Sequence, residues 1–141
     1  MADEAPQRVH YQHHTSWDEL FSELYGGITT SMFRVGTPED ADAPTVFKTY
    51  FPPNNEVAPH SHSCDYAEVI LEGCQQVTRK WYYPGDIRIA KANTVYGPLL
   101  AGPEGVTVLL IFRTGEYAPI PIDGNAAQFD KYQDGLDRLS S

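Results

Sequence analysis

Two adjoining stretches, Pro59-His60-Ser61-His62 and Tyr66-Ala67-Glu68-Val69-Ile70-Leu71-Glu72-Gly73, carry most of the information in this chain. In an extended backbone, residues two apart point the same way, so His60 and His62 present both imidazoles on one face. Such a pair can hold a metal. Imidazole suits zinc, iron, nickel or copper, and a further ligand must converge from elsewhere, most simply a carboxylate on a neighbouring strand. Glu68 lies on the next extended run, sharing a face with Tyr66 and Ile70, and is the candidate. A glutamate set between apolar residues is costly to bury alone, so a positive partner is expected: a metal, Arg79 or Arg88. Cys64 and Asp65, in the loop between the two stretches, are alternative donors.

Outward from this segment the apolar pattern has a period of two. Runs rich in β-formers cover 28–35, 45–51, 66–71, 74–83, 86–90 and 106–113, separated by Gly, Pro and Asn clusters such as Gly36-Thr37-Pro38, Pro52-Pro53-Asn54-Asn55, Gly73, Pro84-Gly85 and Gly102-Pro103-Glu104-Gly105. That rhythm predicts an all-β sandwich or barrel, and eleven glycines and eleven prolines supply its turns. Upstream, Ser16-Trp17-Asp18-Glu19 has the spacing of a capping box. Trp17, Leu20, Phe21 and Leu24 follow at helical intervals before Gly26-Gly27, so a short N-terminal helix is expected. Downstream, Ala126, Phe129, Tyr132, Leu136 and Leu139 form the stripe of a weak amphipathic helix interrupted by Gly135. The expected organisation is a tail or exchanged strand over 1–15, a barrel with its leading helix over 16–118, and a C-terminal extension over 119–141. The histidines His10, His13 and His14 belong to the tail.

The pair of segments resembles the two sequence motifs of the cupin superfamily. In the first, Asn54 stands where the family has a turn glycine, His60 and His62 match its His-x-His, and Gly73 matches its closing glycine. Tyr66 holds the place of the usual glutamate, and Glu68 lies two residues further on. In the second motif Gly85 matches, Asn93 stands in for a turn glycine, and Tyr96 occupies the position of a third histidine. Lys91 and Leu100 replace a proline and an asparagine. Asn is a reasonable occupant of a left-handed backbone position. The resemblance covers residues 28–113 and implies a jelly-roll β-barrel whose mouth holds a divalent metal and a small ligand.

Composition narrows the partners. The chain has 141 residues, enough for one domain, with 41% apolar and 12% aromatic residues. Nineteen acidic against ten basic residues give a formal charge of −9, a field that repels a phosphate backbone and an anionic membrane surface. No apolar run reaches the roughly 20 residues a spanning helix needs. The acidic N-terminus lacks the layout of a secretion signal, so a cytoplasmic protein is expected. Its two cysteines, Cys64 and Cys74, are expected to be thiols.

The resemblance implies an enzyme binding one divalent transition metal (iron, zinc, nickel or manganese) through His60, His62 and Glu68, and acting on a small organic molecule. A site with two histidines and one carboxylate leaves room for substrate and O₂, so dioxygenation leads. The alternatives are a metal-dependent lyase or isomerase in which Tyr66 or Tyr96 transfers a proton, and a metal-free binding barrel. Unpaired sheet edges favour a homodimer.

Overall fold

The structure is a computed structural model that describes residues 16–17, 21–37, 39–122 and 126–140. Strands β2 (Ile28–Arg34) and β3 (Thr45–Phe51) form an antiparallel pair in which Met32 lies opposite Phe47. Alternate residues of β3 are buried along its whole length, as a half-buried strand requires. The segment expected to be helical is different. Phe21–Tyr25 forms strand β1, paired antiparallel with β2 through a tight turn in which Gly26 and Gly27 have φ of 58° and 86°. The two glycines therefore end a strand. Pairing with β2 and burial of Leu24 outweigh the local helical spacing. Residues 18–20 and the tail over 1–15 lie outside the described residues.

Two short strands, β4 (Glu56–Val57) and β5 (His60–Ser61), precede the long strand β6 (Tyr66–Val77). Strands β7 (Lys80–Tyr82), β8 (Ile87–Ala90), β9 (Leu99–Phe112) and β10 (Ile120–Pro121) follow, and helix α1 (Ala126–Ser140) ends the chain's described part. The main sheet runs β1-β2-β3-β9-β6-β7, with β4 on β9 and β8 on β6, while β5 pairs with β10. Gly73 does not separate two strands, as its sequence context suggests, but sits inside β6. Register irregularities on either side of it reverse which residues face inward: Tyr66, Glu68 and Ile70 before, Gln75 and Val77 after. Strand β9 bends alongside, with Gly102–Gly105 bulging opposite Cys74 between the pairs Gly73–Val106 and Gln75–Ala101. Gly73 has φ of 75°, and a Cβ there would lie 2.1 Å from the Gly105 carbonyl oxygen. The corner requires glycine at that point because the two backbones meet there. The bend folds one hydrogen-bonded sheet over its own apolar face.

That face is closed by Ile28, Phe47, Ile70, Val106, Val108 and Phe112. Val108 is completely buried, and each such side chain contributes roughly 1.5–3 kcal/mol. Phe129, Tyr132 and Leu136 of α1 join the same core, as the stripe predicts, so α1 packs as part of the barrel. Gly135 lets α1 approach β1, since a Cβ there would stand 3.2 Å from the Leu24 Cα. Arg138 donates to the Leu24 carbonyl at 2.7 Å, and the Gln128 side chain bonds Ala58 N–H and the Glu56 carbonyl. Asn54 and Asn93 have φ of 62° and 64°, the left-handed conformation expected of both. Among the described residues no helix is long and apolar enough to cross a membrane.

Candidate functional site

Strand β5 is held on one side by β10 and on the other by a reciprocal backbone pair between His60 and Tyr96, N to O 3.1 Å in both directions. This pairing turns the His60, His62 and Tyr96 side chains into the barrel, where Tyr66 on β6 meets them. The ring centroids lie 5.0 Å apart for His60–His62, 4.9 Å for His60–Tyr96, 5.1 Å for His62–Tyr66 and 5.8 Å for Tyr66–Tyr96. Four of the residues singled out by the sequence thus form one compact group. They line a cavity of about 80 Å³ whose other walls are mainly apolar, with Glu68, Tyr117 and the Thr30 and Thr49 hydroxyls, which bond each other at 2.7 Å, among the polar exceptions. Phe129, Tyr132 and Leu136 of α1 close it.

Glu68 does not complete a metal triad. It lies directly opposite Arg88 in the β6–β8 register, and its Oε1 accepts from Arg88 Nη2 at 3.0 Å, Arg88 Nε at 3.2 Å and Gln75 Nε2 at 2.7 Å. The positive partner expected for this carboxylate is therefore Arg88. Two imidazoles remain, and no group of three or more His, Cys, Asp or Glu side chains suited to a metal exists among the described residues. Cys64 is directed to the Glu116 carbonyl, and Asp65 accepts from Ala92 N–H at 2.8 Å and pairs with Arg113. The Arg88 guanidinium also sits 4.7 Å from the Tyr96 ring centre and 5.3 Å from that of Tyr66, placing a fixed positive charge beside the cavity. The donor set implied by the sequence motifs, His60, His62 and Glu68, does not fit a metal ion here.

What remains is a hydrogen-bonded chain of neutral groups anchored on one ion pair. His60 Nδ1 lies 2.8 Å from the Ala58 carbonyl, which only accepts, so Nδ1 carries the proton. Its Nε2 then offers a lone pair to the Tyr96 hydroxyl at 3.3 Å. Arg88 Nη2 donates to the Tyr66 hydroxyl at 2.9 Å, and the Tyr66 and Tyr96 hydroxyls are hydrogen-bonded to each other. Burial lowers the His60 pKa, opposed by the Ala58 carbonyl and reinforced by the Arg88 charge. For His62, burial and then the neighbouring His60 bring the value down to about 3. His62 Nδ1 is buried without a hydrogen-bond partner at bonding geometry, although the backbone of Tyr117 and Ala118 passes close enough to favour its charged form. Burial pushes Tyr66 up to about 12, the Glu68 charge adding to it and Arg88 opposing it. Tyr96 is raised further, by burial and then by Tyr66. Burial works against the Arg88 charge, but the Glu68 carboxylate outweighs it and the Arg88 pKa rises. At neutral pH the imidazoles and phenols are uncharged, and the ion pair supplies the field.

Arg88 and Gln75 are site residues that the sequence motifs do not mark. A signal exists for Arg88: in Ile87-Arg88-Ile89-Ala90 the arginine alternates with isoleucines, and the arginine side chain is only partly exposed while the isoleucines stand in solvent. The cavity-closing residues of α1 are visible only as a helical stripe.

No family model matches the chain, and no curated protein is similar to it in sequence. Solved structures are. The polyketide cyclase RemF from Streptomyces resistomycificus superposes with a TM-score of 0.65 at 16% identity, covering 86% of this chain and 96% of that one. An RmlC-like cupin from Shewanella frigidimarina gives 0.60 at 20% identity over 75% and 95%. An acetylacetone dioxygenase from Acinetobacter johnsonii gives 0.58 at 15% over 88% and 92%. The chain spans 55% of the length of a further match, from the complex of Rhodobacter sphaeroides SigE with the anti-sigma ChrR. At these identities the likeness is one of architecture, and it agrees with the sequence motifs: the chain has the cupin fold, a small jelly-roll barrel with a helix packed across its cavity.

Proposed function

We propose that this chain is an enzyme for small, largely apolar organic molecules and that its chemistry is proton transfer beside a carbonyl group. The observation that carries this reading is the Tyr96 hydroxyl 3.3 Å from His60 Nε2, with the tautomer of His60 set by the Ala58 carbonyl. A substrate carbonyl oxygen accepts from the Tyr66 hydroxyl, taking over the place of its bond with Tyr96. The acidic C–H proton passes to the Tyr96 oxygen as the Tyr96 proton passes to His60 Nε2, leaving an enolate and an imidazolium. Neither phenol has to ionise, which their raised pKa values would resist. The charges form as a pair, and Arg88, through Tyr66, faces the developing oxyanion. Mainly apolar walls and few polar groups suit a small carbonyl compound. Two proteins with this fold, a polyketide cyclase and an acetylacetone dioxygenase, are named for carbonyl-rich substrates, which supports the choice. No group of three or more metal-suited side chains stands among the described residues, whereas the Tyr96–His60 pair is in place, so proton transfer is the better-supported chemistry.

The test is deuterium uptake from D₂O into a panel of small cyclic and aryl ketones, followed by NMR with chelator-treated protein. The expected result is catalysed exchange that falls about 10²–10⁴-fold in Tyr96→Phe and His60→Gln, with KM changed far less. Exchange that appears only on adding iron, zinc, nickel or manganese and survives Tyr96→Phe would overturn the reading in favour of metal chemistry. A panel that neither binds nor exchanges would overturn it as well.

A further inference from the structure

Two polar atoms of the cavity wall take no part in the proton transfer, and no described residue donates to them: Glu68 Oε2 and His62 Nε2. All three hydrogen bonds that reach the Glu68 carboxylate end on Oε1, from Gln75 Nε2 at 2.7 Å, Arg88 Nη2 at 3.0 Å and Arg88 Nε at 3.2 Å. Donating together to one oxygen, Gln75 and Arg88 fix the rotation of the carboxylate and so aim Oε2. The side chain is 2% exposed, yet Oε2 is not sealed in the core, so the space it meets is the cavity that Glu68 lines. His62 is buried against the same cavity. Its Nδ1 lies sealed beside the backbone of Tyr117 and Ala118 and keeps the proton there, which leaves Nε2 facing the cavity with a lone pair. Both unserved atoms are acceptors.

We infer that the carbonyl substrate carries a hydroxyl group and that Glu68 Oε2 accepts a hydrogen bond from it, which makes Glu68 the residue that selects among ketones. This specificity, which rests on the proton-transfer reading for the placement of the carbonyl at Tyr66, follows from the polarity of the wall. A simple ketone only accepts. It satisfies Tyr66, but in displacing water from the cavity it leaves Oε2 and Nε2 with no donor, and of the two the charged oxygen is the costlier to leave unserved. A hydroxyl supplies the donor. The two anchoring points also stand together: one nitrogen, Arg88 Nη2, bonds both the Tyr66 hydroxyl at 2.9 Å and Glu68 Oε1 at 3.0 Å, so carbonyl and hydroxyl need be only a few bonds apart. A β-hydroxy ketone meets that spacing. An ammonium group is the wrong donor, because Arg88 already neutralises the carboxylate and its guanidinium stands beside the cavity, 4.7 Å from the Tyr96 ring centre.

The experiment compares cyclohexanone, its β-hydroxy derivative and the methyl ether of that derivative, using the full-length wild type and Glu68→Gln. Deuterium uptake from D₂O reads turnover, and NMR titration reads binding separately. The ether keeps the oxygen of the hydroxyl but lacks its proton. For the wild type the hydroxy ketone is expected to lead the other two by about 10²-fold in kcat/KM and to bind at least about tenfold more tightly. In Glu68→Gln the Gln75 and Arg88 donors hold the amide oxygen in the place of Oε1 and turn the NH₂ toward the cavity. An acceptor becomes a donor that serves hydroxyl and ether alike, so their ratio should fall to within about threefold. A variant that is merely loosened would instead lose exchange on every ketone together and keep the ratio. Exchange that does not distinguish the ketones, or a preference that Glu68→Gln leaves intact, overturns the inference and leaves proton transfer standing. Selective binding of the hydroxy ketone without exchange overturns proton transfer and upholds the role of Glu68. Should the variant fail to fold, the wild-type binding ratio decides: equal or undetectable binding of the hydroxy ketone and its ether overturns the inference.

Discussion

Replacing Arg88 by methionine tests whether the ion pair beneath the cavity holds the barrel together. Glu68 is 2% exposed, and its Oε1 accepts three hydrogen bonds, two of them from Arg88. Methionine keeps most of the arginine's apolar stem but leaves a carboxylate in the core with Gln75 as its remaining partner, and it deprives the Tyr66 hydroxyl of a donor. Breaking a buried pair from one side costs about 3–5 kcal/mol, which for a chain of this size lowers the melting temperature by roughly 10 °C or more. Removing both charges, in Arg88→Met with Glu68→Gln, is expected to restore most of that loss, because no uncompensated charge stays behind. Urea unfolding of the wild type, the two single variants and the double variant closes the cycle, with a coupling of about 2 kcal/mol or more between the two sites. An Arg88→Met cost below about 1 kcal/mol, or a double variant no more stable than the worse single one, would show that water reaches the pair and that the field assigned to it is absent.

Two further outcomes follow from the same geometry. His62 is neutral in the folded barrel down to about pH 3 but takes a proton near 6.5 when unfolded, so the unfolded state binds more protons between those values. Stability is complete above 6.5 and declines as the pH falls, by up to roughly 1.4 kcal/mol per pH unit from this group, and His62→Phe should flatten that slope in urea titrations at pH 4–7. Gly73→Ala places a Cβ on the Gly105 carbonyl, whereas at Gly26, also left-handed, a Cβ meets nothing within 4 Å. Gly26→Ala should therefore cost only about 1–2 kcal/mol of backbone strain, and Gly73→Ala several times that or failure to fold, read by denaturation or by yield of soluble protein.

The parts of the fold that sequence makes legible are those with one dominant local signal. Strands β2 and β3 follow from period-two patterning, and Asn54 and Asn93 mark left-handed turns because few other side chains tolerate them. The stripe of α1 is readable despite Gly135, whose reason lies in a tertiary neighbour, Leu24. Elsewhere two signals compete. Phe21–Tyr25 has helical spacing, but its pairing partner β2 lies beyond the reach of any local window. Gly73 resembles a turn because glycine serves bends and turns alike, and only the facing Gly105 tells them apart. At the site, two residues apart in a strand was enough to bring His60 and His62 together, and the motif positions of Tyr66 and Tyr96 brought the phenols to them. Glu68 was placed on the correct face, yet its partner depends on the register of β8, which no spacing within β6 encodes.

The placement of α1 carries a consequence for synthesis. The cavity has walls from β2, β3, β6 and β9 well before Phe129, Tyr132 and Leu136 exist to cover it. A nascent chain emerging from the ribosome therefore passes through a stage in which a cup lined by Phe47, Phe51 and Phe112 stands open to water, a surface that chaperones recognise and that other unfinished chains can stick to. Any slowing of translation over the codons of α1 prolongs that vulnerable interval.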